Sequence, residues 1–401
     1  MNLLQLAWRL LVAQPLTLAL SVLVLALGWA AVGFVMLTSD QIEGRVQRDL
    51  AGIDLVVGAK GSPMQIMLSG VFHLDVPTGN IPLATWQTLR DQPLVAEVWP
   101  LSLGDSLQGW RIVGSTPQYL DLFGARLREG ARWTGPMQAV LGSEVARATG
   151  LKVGDRFAGN HGLGGSGDAH GDSPFEVVGV LERGGSVLDR LVLTDLASVW
   201  QVHETLHEVD EEDRATLEAE RQVTMLLVRY RSPLGAAMLP RWVNAQEGLQ
   251  SAAPALESAR LLRMLGAGRE LLQGFGAMLL AVSSLSLFIT LLTMVREREG
   301  DLALLRLMGA RPARLALLVA LQALLVVTAS VLAGLMLAHA AQWALATWLE
   351  GQQSLPLSPW HVASFELWLL PLAMALALVA AAWPARRAMR TDVTRLLQAP
   401  R

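Results

Sequence analysis

Not one charged residue lies between Arg9 and Asp40. That run exceeds the ~20 apolar residues a helix needs to cross a hydrocarbon core of about 30 Å. Three further stretches, 271–295, 315–349 and 367–385, are equally free of charge. Lipid offers no partner to a backbone N–H or C=O, so each run is expected to be an α-helix that satisfies its own backbone. With 52% hydrophobic and 17% charged residues and a mean hydropathy of +0.39, the composition excludes an ordinary soluble protein. A net charge of −3 gives no basis for a nucleic-acid partner.

The expected fold class is a membrane protein with four transmembrane α-helices, at 16–37, 271–295, 315–338 and 367–385, and a large α+β extracytoplasmic domain, 38–270, inserted between the first two. The third uncharged run is far longer than one crossing needs, and it is expected to leave the bilayer near His339. Residues 339–366 would then form an outer interfacial segment, where Trp343 and Trp348 suit the headgroup level. Arg296, Arg298, Arg306, Arg311 and Arg314 crowd the 296–314 connection, and Arg386, Arg387, Arg390, Arg395 and Arg401 the 386–401 tail, whereas the connection between the third and fourth runs holds no Lys or Arg. Such asymmetry places both basic segments, and with them both termini, on the cytoplasmic side of a cell inner membrane. Residues 1–15 read as an amphipathic interfacial helix ended by Pro15, and the run after it as an uncleaved anchor.

From Asp40 the texture changes to short β-like runs. Strands are expected at "IDLVVGA", "VAEVWPLSL", "GWRIVGS", "QAVLGS", "FEVVGVL", "RLVLT" and "VTMLLVRY", with helices at "PLATWQTLRD" and "SEVARATG". The glycine-rich segment 160–174 reads as a loop, 196–221 as an acidic helix, and 232–270 as helix leading straight into the second crossing. With no cysteine, the domain must hold itself by its own core.

The stretch "MVREREGDLALLRLMGARPARL", 294–315, places Leu302, Leu305 and Met308 three apart on one face of a short helix opening at Gly300 and closing at "GARP". A basic-ended amphipathic helix between two crossings suits either docking on a cytoplasmic partner or lying among headgroups. The run "REREGDLALLRLMGA" resembles the motif of the FtsX-like/MacB permease superfamily, matched here by Arg296, Glu299, Leu302, Leu305, Arg306, Met308, Gly309 and Ala310. "WPARRAMRTDVTRLLQ" resembles that family's ending, though Thr391–Val393 lacks its proline. "AVLGSEVARATGLKVGDRF" followed by "FEVVGVL" is similar to the family's MacB periplasmic core domain.

The resemblance implies the permease subunit of an ABC transporter, in which those eight residues couple to a cytoplasmic ATPase dimer. It also implies a second permease copy, with a homodimer the simpler arrangement, and export or extraction of a substrate from the periplasmic side with help from a periplasmic or lipoprotein partner. The sequence has no G-x-x-x-x-G-K-[ST] loop, so ATP and Mg belong to the partner and no catalytic residue is expected in this chain. Ser283, Ser284, Ser286 and Thr290 offer small polar surface for helix packing or a dimer seam, or bond back to their own helix carbonyls.

Two other readings stand beside that one. An FtsX-like scaffold that activates an outer partner would transport nothing. "HETLH" carries the H-E-x-x-H of a membrane metallopeptidase, with His203 and His207 four apart and Glu204 between. No third histidine follows before the membrane, so a third ligand would have to come from Glu218 or Glu220. Zinc binding without catalysis could draw on His203, His207, His161 and His170, linking the protein to metal homeostasis; a solvated acidic helix and a loop are the plainer account.

Overall fold

The computed structural model describes residues 2–162, 174–203, 220–351, 358 and 360–389. The chain divides into two compact units, Met1–Ile42 with Met264–Arg401, and Glu43–Arg263.

In the first unit a helix Leu3–Val12 is followed by Pro15–Leu50, Pro254–Glu297, Glu299–Leu307, Pro312–Gly351 and Glu366–Met389. Four helices are long and apolar enough to cross a membrane: Pro15–Leu50, Glu270–Glu297, Pro312–Leu349 and Glu366–Met389. Pro15 starts its helix where the fixed φ of proline suits the first turn and no N–H is missed. On the last helix Ala373, Ala377 and Ala381 recur every fourth residue and are buried. They form a narrow stripe in one cluster with Leu318, Val319 and Val326 of Pro312–Gly351. Small residues in that register let two helix backbones approach closely.

Two expected boundaries move. The first long helix does not stop at Leu37 but continues to Leu50, because Asp40, Glu43, Arg45, Arg48 and Asp49 mark the end of lipid exposure without breaking a helix. The helix from Pro312 likewise runs on past His339 to Gly351 as 40 residues, about 60 Å at 1.5 Å per residue. His339 instead hydrogen-bonds Glu366 of the last helix at 3.3 Å. Beyond it, Gln41 pairs with the backbone of Ser358 through both N–H and C=O, at 2.8 and 3.0 Å, and His361 meets Asp40 at 2.8 Å.

The second unit is an α+β body. Its strands are β1 (Leu55–Ala59), β2 (Ile81–Pro82), β3 (Val95–Leu107), β4 (Trp110–Ser115), β5 (Leu127–Gly130), β6 (Gln138–Leu141), β7 (Arg156–Phe157), β8 (Asn160–His161), β9 (Phe175–Leu181), β10 (Val192–Asp195), β11 (Gln222–Val223), β12 (Met225–Tyr230) and β13 (Leu249–Ala252). Among the described residues the main sheet runs β13-β1-β12-β3-β4-β10-β6-β9-β5, with β7 on β9 and β8 on β3. It is mixed, since β10/β4 and β6/β9 are parallel. β3 joins its two halves: Val95–Leu101 pairs with β12, the register shifts between Leu103 and Ser106, and Ser102–Leu107 pairs with β4.

Both faces of the first half are covered, which explains why β1 and β12 read as unbroken apolar runs rather than alternating ones. Val56, Leu101, Met225 and Leu227 turn to one core with Ile66 and Met67 of the helix Pro63–Gly70. Leu55, Val57, Leu226 and Val228 turn to the other with Leu89, Leu239 and Val243. All seven expected strand runs coincide with strands.

Two expectations fail locally. Residues 232–270 are not one helical stretch, because Leu234–Asn244 ends and β13 adds to the free edge of β1 before Pro254. Segment 160–174 begins as a strand, β8, with the remainder, 163–173, outside the described residues.

Candidate functional site

The short helix of the "REREGDLALLRLMGA" motif is Glu299–Leu307, so it opens one residue before Gly300. Arg298 breaks the preceding helix with φ −110° and ψ 20°, while its carbonyl already accepts the N–H of Leu302 at 2.9 Å. Glu299 and Asp301 occupy the first turn and Arg306 the last, each sign opposing the adjacent pole of the helix dipole. The far end is a Schellman closure: Ala310 N–H donates to the carbonyl of Leu305 and Gly309 N–H to that of Arg306, both at 3.0 Å. Gly309 takes φ +93°, a conformation in which an L side chain is strained. Pro312 then starts the next helix.

The helix is held from three sides. Gln14 donates to Glu297 at 2.7 Å, and Arg298 Nη2 reaches the carbonyl of Leu10 at 3.3 Å. Arg387 of the last helix meets Glu299 at 3.4 Å, and Arg306 Nη1 donates to the carbonyl of Met389 at 3.4 Å. Glu299 and Arg306 therefore face inward onto this chain's own last helix. Cations near a helix C-terminus satisfy carbonyls that have no partner within the helix.

The apolar faces separate differently from the expected stripe. Leu302 is 5% exposed and sits in the cluster with Leu291, Met294 and Leu315, with Leu305 half-buried against it. The outward apolar face is Leu304, Leu307 and Met308, at 59%, 56% and 83% exposure. These residues fall at i, i+3 and i+4 and form one ridge. Exposed Arg296, Arg311 and Arg314 lie to either side of it in sequence. The expected Leu302–Leu305–Met308 face is thus corrected: its first two members hold the helix down and only Met308 is presented. Spacing alone shows two interleaved stripes and cannot tell which one the crossings cover.

The other candidate residues lie elsewhere. Thr290 Oγ1 is 3.2 Å from Ser21 Oγ on the first long helix, which places it in packing within this chain. Ser284 and Ser286 are half-buried, and the side chain of Ser283 lies outside what is described. His203 ends the helix Leu196–His203; His207, Glu204 and His170 lie outside the described residues, as do the side chains of His203 and His161. Among the described residues no group of three or more His, Cys, Asp or Glu could hold a metal ion.

The model of the MacB-like periplasmic core domain matches residues 18–238, more than half of the chain, and that of the FtsX-like permease C-terminal region matches 274–393. The chain belongs to the FtsX-like/MacB family of ABC transporter permeases. The first match covers most of the Pro15–Leu50 helix and of the insert, the second the three later apolar helices with the whole of Glu299–Leu307.

Among solved structures, this permease is similar to the periplasmic region of MacB from Actinobacillus actinomycetemcomitans, at 13% identity over 54% of this chain and 95% of that one, with a TM-score of 0.36. It is also similar to the extracellular domain of the ABC-type transporter YknZ from Gram-positive bacteria, at 14% identity over 50% of this chain and 98% of that one, with a TM-score of 0.30. No curated protein matches the chain.

Proposed function

We propose that this permease is the membrane half of an ABC transporter in which a separate cytoplasmic ATPase pair docks on Glu299–Leu307. The observation that carries the reading is the exposed ridge Leu304, Leu307 and Met308 on a helix tied at its start to Leu10 and Arg387 and at its end to Met389 of this same chain. An apolar ridge with arginines on either side fits a groove on a protein partner. A helix tied so closely passes a push on to its neighbours rather than absorbing it.

Two helices are built to carry such a push outward. Pro15–Leu50 and Pro254–Glu297, 36 and 44 residues long, correspond to about 54 and 66 Å at 1.5 Å per residue, well beyond a hydrocarbon core of about 30 Å. In this reading four crossings place the α+β unit on the extracytoplasmic side of the inner membrane, and ATP-driven closure moves it by mechanotransmission. Two permease copies, one per ATPase, act on a substrate exported or extracted from the periplasmic side.

The test is co-purification of the full chain with ATPase subunits from its native membrane, wild type against Met308→Asp and Leu304→Asp. Loss of the ATPase from both variants with thermal stability retained is expected. An ATPase that stays bound to both, or none bound to the wild type, would overturn the reading.

A further inference from the structure

The last turns of Pro15–Leu50 end inside the α+β unit. Segment 40–50 holds five charged residues, so it lies beyond the lipid-facing run 16–37. Asp49, in its final turn, is buried, and its Oδ1 accepts the backbone N–H of Val187 at 3.0 Å. Titratable neighbours come from its own helix and from the elements packed against it. Arg45 and Arg48 belong to its own helix, Arg190 to the 3-10 turn Val187–Arg190, and Tyr119 to the short helix Tyr119–Leu122. Glu144, on the helix Ser143–Thr149, and Asp189 act in turn on Arg190.

The segment that Asp49 grips is itself stiff. Asp189 is buried, and its Oδ1 accepts from Gly184 N–H at 3.0 Å and from Ser143 Oγ at 3.0 Å, while Oδ2 accepts from Gly185 N–H at 2.7 Å. Gly142 backs the turn so closely that any Cβ would strike the carbonyls of Leu188 and Asp189. Two residues after Arg190 the chain enters β10, which lies between β4 and β6 in the sheet. Asp49 therefore joins one rigid piece, the helix end, to another, the braced 182–190 segment that feeds the sheet.

We propose that Asp49 is a positioning residue whose carboxyl makes the 182–190 segment follow the end of the Pro15–Leu50 helix. Only the use of this tie, to pass helix movement to the sheet, rests on the proposed function.

The tie is linked to protons. Burial pushes the Asp49 carboxyl up to about 6, with Val187 N–H, Arg45 and Arg190 offsetting part of the effect. Released into water, the same carboxyl would return to the ordinary range. The tied state binds a proton more readily than the released one, so acid favours the tie and neutral pH loads it. A neutral carboxyl keeps an oxygen that accepts the N–H, so protonation does not remove the bond.

Hydrogen–deuterium exchange of the full chain, read on peptides covering 183–190 from pH 5 to 8 and corrected for intrinsic exchange, tests this. Wild-type protection should fall by roughly 10- to 100-fold as pH rises through 6. Asp49→Asn, an uncharged acceptor, should stay protected throughout, and Asp49→Ala should be unprotected throughout. Flat wild-type protection, or an Asn variant that titrates like wild type, overturns the proposal; if the Ala variant does not fold, those two profiles still decide. A normal profile in a protein that binds no ATPase sinks the proposed function and leaves this inference standing.

Discussion

Leu302 and Leu304 stand two residues apart on one helix and face opposite ways, 5% and 59% exposed. Leu302→Ala removes a packed side chain from the membrane unit's cluster and should cost about 2–4 kcal/mol. Leu304→Ala trims a mostly exposed side chain and should change stability by less than about 0.5 kcal/mol. Thermal unfolding of the two variants checks the ordering; equal losses would mean that the two faces are not distinguished in this way.

Gly309→Ala forces an L side chain to adopt φ +93° with open space around the Cβ. The penalty is therefore conformational, about 1–2 kcal/mol, and local to the Schellman closure. ATPase co-purification should weaken, with the exchange of amides 308–310 raised and that of β1 and β12 unchanged.

Removing the buried carboxylate of Asp189 strands two backbone N–H groups and the Ser143 hydroxyl. Gly184 is exposed and Gly185 and Ser143 are half-buried, so water replaces part of what is lost and Asp189→Ala should cost about 1–3 kcal/mol in all. A melting temperature within a degree of wild type would refute that.

The pH dependence of stability follows from the direction of the Asp49 shift. Its folded pKa, about 6, lies above the ordinary 3.8, so the folded state binds the extra proton. Above pH 6 the buried charge costs on the order of 3 kcal/mol, and the cost is relieved as pH falls from 6 towards 4. Asp49→Asn should therefore stabilise the full chain at pH 8 and lose its advantage near pH 4. Unfolding curves at the two pH values give the answer.

Zinc is tested on the full chain by elemental analysis after exposure and desalting, beside the His203→Ala/His207→Ala form. A two-histidine pair by itself holds zinc weakly, so wild type and variant should retain equally little. Stoichiometric zinc lost in the variant would assign a metal site to "HETLH".

The sequence by itself determined the helices of the membrane unit and most of the sheet, because lipid allows an uncharged run only one way to satisfy its backbone and because strands buried on both faces show as apolar runs. The Schellman closure was legible too, since "RLMGA" puts the one residue tolerant of φ +93° where the helix must stop. Two kinds of feature escaped. Helix ends beyond Leu37 and His339, at Leu50 and Gly351, could not be read, since the loss of hydrophobicity marks where lipid ends and not where hydrogen bonding does. β13 was missed because four residues have no period to read, and the edge of β1 alone makes them a strand.

Tertiary structure decided which stripe of Glu299–Leu307 is outside and where the Asp49 carboxyl is buried. Both stripes are apolar at helical spacing, and only the neighbours, Leu291, Met294 and Leu315, choose Leu302. Asp49 is one of many carboxylates in the sequence. Its place beside Val187, 138 residues further along the chain, exists only once the helix end and the braced turn are packed together.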